Sequence, residues 1–183
     1  RVGVLGGRVM DARTGDLERR VVELEAESRA HLDFLDLMLS LDNSLAGIRL
    51  HGNHSALLSI VASHLRRLLP LENVGFFLVS PEDFSYRLEF CDGSDDQHLR
   101  AVVDLEVESG VFAWALKRNR AFLRDVDGRV LLLHPIATPG RTIGMLAAFA
   151  PPGLDETQRA LVLISVLLST VAYALENAAL HAE

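Results

Sequence analysis

The apolar positions change their period along the chain, and the changes divide it. Between Leu17 and Leu45 they recur at helical spacing: Leu17, Leu24, His31, Met38 and Leu45 fall seven apart, with Val21, Ser28, Leu35 and Asp42 interleaved. This is a heptad seam interrupted by polar residues, and it predicts a coiled-coil-like helix over 17–47. Glutamates and arginines fill the outer face, and beyond residue 31 a second stripe begins at Leu32, Phe34 and Leu37. A helix apolar on two sides has two surfaces to cover, which a second copy of the chain and the rest of the fold would supply. Residues 1–16, with "GVLGG" at 3–7, show little periodicity and read as a leader. Their glycines lack the spacing and the strand–helix frame of a nucleotide-binding turn.

After the break "AGIRLHGNHS", a domain is expected over 52–183. Its first helix, about 55–69, turns Leu57, Leu58, Val61, Leu65 and Leu68 inward, with Asn53 or Ser55 as cap and Pro70 as terminator. The period then drops to two. "NVGFFLVS" (73–80) and "SYRLEFC" (85–91) read as strands joined by a turn, and "AVVDLEV" (101–107) as a third. Ser109 caps a short helix over 110–118, "AFLRD" (121–125) is a short strand, and 130–137 and 142–150 form a hairpin around "TPGR". Asp155 and Gln158 make a capping-box pattern for a last helix that runs to residue 183. Strands joined mainly by turns imply an α+β domain: an antiparallel sheet of about six strands with helices on one face.

In the last helix Leu161, Ile164, Leu168, Val171 and Leu175 follow a 4-3 alternation up to the end of the sequence. With Leu17, Val21, Leu24, Leu35 and Met38 of the first helix, they are the expected contacts of a homodimer. The chain opens without methionine and ends in helix with neither glycine nor proline to close it, which suggests an input module cut from a longer protein.

Composition narrows the function. A net charge of −7 argues against nucleic-acid binding, which needs a basic surface to release counterions. Cys91 is the one cysteine, so there is no internal disulfide; this fits a reducing compartment, and the expected location is cytoplasmic. The charge-free run 160–175 reaches about 24 Å as a helix, short of a roughly 30 Å hydrocarbon core, so no membrane span is expected.

Four segments in order resemble GAF domains, a family of small-molecule sensor modules. They are "SALLSIVASHLRRLLPLENVGFFLV", "SGVFAWALKRNRAFLRDV", "LLLHPIATPGRTIGMLAAFA" with its Pro-Ile and Ile-Gly pairs, and "VAYALENAAL". The second has Ala121 where the family commonly has proline. The resemblance covers about 50–183 and implies a GAF-like fold, often placed in tandem with an output domain such as a histidine kinase, a cyclic-dinucleotide enzyme or an HD-type phosphodiesterase. It also implies a ligand pocket between the sheet and the segments linking its middle strands. By that carry-over His98, Arg100, Phe112, Trp114, Arg118, Arg124, His134 and Thr138 would line the pocket. Aromatic rings there could stack on a planar ligand and an arginine could pair with an anion, although Phe112 and Trp114 equally suit a core.

No motif in the sequence singles out a ligand or a cofactor. Cys91 in "FCDG" is poorly placed for a bilin, the cyclic-nucleotide signature is only echoed, and sulfoxide reductases of this fold rely on several cysteines. His51, His54 and His64 read as surface histidines rather than metal ligands. No nucleophile–base pattern occurs, and Glu106 reads as solvated charge on a strand. The sequence therefore points to a non-catalytic sensory module that couples a small-molecule signal to paired helices. A ligand-free dimerisation module is the alternative, and an enzyme of this fold is the weaker one.

Overall fold

The computed structural model describes residues 54–151 and 158–180, together with helical positions 15, 17–25, 28–29, 32, 35–36 and 39. The chain divides into two units, Arg1–Ser40 and Leu41–Glu183. In the first, the described positions from 15 to 39 form helix α1, on which Leu17, Val21, Leu24 and Leu35 are all more than half exposed. Met38 of the same seam, and the leader apart from Gly15, lie outside the described residues.

The second unit runs α2 (His54–Leu68), β1 (Val74–Val79), β2 (Tyr86–Asp92), α3 (Asp96–Glu108), α4 (Val111–Arg118), β3 (Phe122–Val126), β4 (Arg129–Ala137), β5 (Thr142–Ala150) and α5 (Gln158–Leu180). The strands form one antiparallel sheet in the order β2-β1-β5-β4-β3. The architecture is the expected α+β type, with five strands instead of six. The segment 101–107 is the difference: it lies inside α3. Residues 103–108 do alternate, but Leu105 and Val107 end up exposed, whereas Leu99, Val102, Val103 and Glu106 are buried. Those four are spaced i, i+3, i+4, i+7, and the longer helical period decided the element.

Helices also cover both faces of the sheet, not one. Alternation along β4 and β5 turns Leu131, Leu133, Met145, Ala147 and Phe149 toward α3 and α4, where Leu99, Val102, Val103 and Phe112 meet them. Gly110, in the left-handed region at φ 78°, lets α3 turn directly into α4. The opposite face, with Leu132, His134, Ile136 and Leu146, is closed by α2 and α5. Gly144 on β5 sits where a Cβ would overlap the Phe77 carbonyl oxygen and come within 3.1 Å of Leu78 Cα, so β1 and β5 approach at a point that admits no side chain.

Helix α5 has 23 residues. Its stretch Ala160–Ala179, with mean hydropathy 1.7, is long and apolar enough to cross a membrane by length and composition. Its buried side chains are nevertheless packed on the sheet. This corrects the expected dimer seam: Ile164, Leu168, Val171 and Leu175 are buried within the fold, with Leu161 partly so. The outward face carries Val162, Val166 and Tyr173 instead. Two helical stripes run side by side here, and period alone does not say which one meets the sheet.

Candidate functional site

The face of the sheet under α3 and α4 is where the GAF resemblance would put a ligand. Its centre is filled by the chain itself. Phe112 of α4 is buried, and the Tyr86 ring meets it edge-on at 4.4 Å between centroids. Burial pushes the Tyr86 phenol up from its ordinary pKa. Phe77, Leu99, Val102, Val103, Leu131 and Met145 complete a continuous apolar cluster.

At the flank of this cluster lies a pair that sequence reasoning missed. Glu106, 5% exposed, points from α3 toward β3, and Arg124 Nη1 donates to both of its carboxylate oxygens, at 2.8 and 2.7 Å. Arg124, expected to bind an anionic ligand, thus has an internal anion as its partner. The reading of Glu106 as solvated charge is overturned. The helical stripe from Leu99 held the signal, since Glu106 falls at its i+7 position.

The other expected lining residues scatter. His98 of α3 stacks on Phe149, with ring centroids 5.4 Å apart, and its buried Nε2 has no hydrogen-bond partner among the described residues. Arg100 is exposed on α3, 3.8 Å from Asp96. Trp114 and Arg118 lie on the outer side of α4; the Arg118 guanidinium sits 4.2 Å above the indole, whose ring meets Phe122 edge-on. His134 and Thr138 belong with the opposite helix: Thr138 Oγ1 donates to Glu176 Oε1 at 3.4 Å. The eight residues therefore do not converge on one pocket.

His134 ties the sheet to α5. It is nearly fully buried, its Nδ1 lies 2.7 Å from the Pro135 carbonyl oxygen and its Nε2 lies 2.8 Å from Ser165 Oγ. A carbonyl only accepts, so Nδ1 carries the proton. In the neutral ring Nε2 then accepts from the Ser165 hydroxyl, which otherwise donates to the Leu161 carbonyl at 2.9 Å. Burial pulls the His134 pKa down, partly opposed by the Pro135 contact, which favours this neutral form. The pair resembles a nucleophile and its base in geometry only. It is sealed between sheet and helix, and among the described residues no carboxylate orients the ring. The Cys91 thiol is likewise a poor nucleophile: burial, then Asp96 and Asp92, push its pKa up.

Two open clefts lie at the ends of the sheet. One, of about 610 Å³, is lined by Arg66, Asn73, Asp92, Gly93 and Arg129 among others. Both of its arginines are engaged: Arg66 with Asp92 at 2.9 Å and Arg129 with Glu72 at 3.7 Å and the Phe149 ring. The other, of about 740 Å³, lies beside the β1–β2 turn, where Phe84 is exposed at φ 57°. In that turn Asp83 accepts from the Ser85 hydroxyl and amide, and these bonds hold its pKa well below the usual carboxylate range.

A five-stranded antiparallel sheet in the order 2-1-5-4-3, with α2 and α5 on one face and α3 and α4 on the other, is the fold of GAF domains. The GAF domain of a phosphoenolpyruvate-protein phosphotransferase from Coxiella burnetii matches with a TM-score of 0.63 at 13% identity, over 82% of this chain and 97% of that one. The GAF domain of a putative sensor histidine kinase from Pseudomonas syringae pv. tomato matches with a TM-score of 0.62 at 13% identity, over 85% and 93%. A free methionine-R-sulfoxide reductase from Neisseria meningitidis, solved with its substrate, matches with a TM-score of 0.55 at 20% identity, over 78% and 89%. At these identities the likeness is one of fold. No family model matches the chain, and no curated protein matches it in sequence.

Proposed function

We propose that this chain is a non-catalytic sensory or regulatory input module, which passes a change in its sheet to the rest of a signalling protein through α5 and a paired copy of that helix. The observation that carries the reading is the double role of α5. Ile164, Leu168 and Val171 pack on the sheet and Ser165 is bonded to His134, while Val162, Val166 and Tyr173 face outward. A displacement of β4 would therefore move a helix that also has an apolar face to offer a partner. The cytoplasmic, homodimeric setting expected from the sequence is part of this proposal. Solved GAF domains from a sensor histidine kinase and from phosphotransferases are consistent with it. A thiol-based enzyme is disfavoured by the single cysteine and its raised pKa.

The filled α3–α4 face favours a second reading, a GAF fold that dimerises and binds nothing. Two measurements separate the possibilities. Light scattering should show a dimer that Val162→Glu with Val166→Glu converts to a monomer of unchanged circular dichroism; a wild-type monomer at high concentration removes the helix mechanism from both readings. Native mass spectrometry against a metabolite panel should show a bound small molecule if the module senses one, and a clean apo mass throughout selects the structural reading.

A further inference from the structure

Four of the 18 basic residues of this acidic chain gather near one edge of the sheet, ahead of the exposed Asp125 and Asp127. From Lys117 to Arg124, "KRNRAFLR", four cations occur without an acid. Arg124 is taken up by Glu106. Lys117, Arg118 and Arg120 are exposed, and among the described residues none of them has a carboxylate partner. Beside them Trp114 is 43% exposed, with the Arg118 guanidinium stacked on its indole and Phe122 meeting the ring edge-on.

The strand next to this patch is β3, the end of the sheet, and no described strand pairs with its outer side. Its five residues leave main-chain donors and acceptors free along about 17 Å. A cleft of about 190 Å³ wraps this edge from Trp114 and Arg118, across Phe122 and Leu123, to Leu161 of α5. That is below the roughly 300 Å³ at which small-molecule sites begin, and it suits one large apolar side chain.

We propose that this edge binds an extended acidic segment of a partner protein as a sixth strand beside β3. The segment's main chain would pair with β3, its carboxylates would meet Lys117, Arg118 and Arg120, and one apolar side chain would enter the cleft beside Trp114. Charge complementarity selects this occupant. Pairing β3 with β3 of a second copy would set the same cations against each other. A small anion would leave the open edge unused. The proposal stands independently of whether the α3–α4 face binds a ligand.

Trp114 is the one tryptophan, so its emission reports on the cleft directly. The probe is the peptide Ac-EVEFEVE-NH2, titrated into the full chain. The expected result is a saturable change in Trp114 emission that weakens as salt is raised. Affinity should fall about tenfold or more for Ac-KVKFKVK-NH2, and likewise for a backbone N-methylated acidic peptide that cannot pair with a strand. The same loss is expected in an Arg118→Glu, Arg120→Glu variant; if that variant does not fold, Lys117→Ala with Arg120→Ala serves, with several-fold weaker binding expected. Absence of a saturable change, equal binding of the N-methylated peptide, or undiminished binding by the folded variant overturns the proposal. Saturation by free 1-naphthoate with the same affinity would assign the cleft to a small aromatic anion and also overturn it.

Discussion

If Glu106 and Arg124 hold α3 against β3, their coupling should be measurable and should exceed that of a surface ion pair. The perturbation is a double-mutant cycle with Arg124→Met and Glu106→Gln, which keep side-chain volume nearly constant. Glu106 has a side chain only 6% exposed, so its carboxylate has little water to fall back on, whereas the Arg124 side chain is 45% exposed. Breaking a fully buried pair costs about 3–5 kcal/mol, and an exposed pair is worth about 0–1 kcal/mol. One end of this pair is wet, so Arg124→Met should cost about 2–3 kcal/mol, because it leaves a buried charge unpaired. Glu106→Gln should cost about 1 kcal/mol, since its amide oxygen still accepts from a guanidinium that water can reach. The coupling in the cycle should be about 1.5 kcal/mol. Urea unfolding near neutral pH, with m unchanged across the four proteins, gives each term. A coupling below about 0.5 kcal/mol would mean the pair behaves as a surface contact, and the claim that Glu106 occupies Arg124 would fail.

Two further outcomes follow from the packing and the buried histidine. Gly144→Ala places a methyl group against the Phe77 carbonyl and the Leu78 backbone and should cost about 2 kcal/mol or more; a urea midpoint within error of wild type would show that β1 and β5 can separate freely there. The folded-state pKa of His134 is depressed by burial, so below its unfolded pKa of about 6.5 the unfolded chain binds a proton that the native ring refuses, and stability falls with falling pH until the folded pKa is passed. Between about pH 7.5 and about pH 5.5 wild type should therefore lose more stability than His134→Gln, which keeps a group near Ser165 without the titration; equal losses in the two proteins would refute this.

The parts of the fold legible in the sequence were those fixed locally. The β4–β5 hairpin was marked by two apolar runs around "TPGR", α4 by its short helical stripe, and the end of α2 by Pro70. Two errors came from overlapping periods. In α3 a strand-like alternation over 103–108 lay inside a longer helical stripe, and in α5 two 4-3 stripes competed for the sheet. The site was less legible, for a different reason. Glu106 and Arg124 are 18 residues apart, and His134 and Ser165 are 31 apart. No local period links such pairs; only the α3–α4 reversal and the return of α5 across the sheet bring them together. The GAF resemblance pointed to the face under α3 and α4, but it could not tell that Phe112, Tyr86 and Glu106 fill it.

That filling sets the terms on which any ligand could enter. A molecule seeking Arg124 must displace Glu106, and one seeking the centre of the face must move Phe112 away from Tyr86. If opening costs about 3 kcal/mol, apparent affinity falls roughly a hundredfold relative to a preformed pocket. The same cost gives such a ligand leverage, because its binding free energy would be coupled to a shift of α3 and α4, and only a ligand with different affinities for the closed and open forms can transmit a signal. Dimerisation through Val162, Val166 and Tyr173 requires no such opening. A sensing module should therefore lose hydrogen-exchange protection in α3 when its ligand binds, and a purely structural one should keep α3 protected whatever is added.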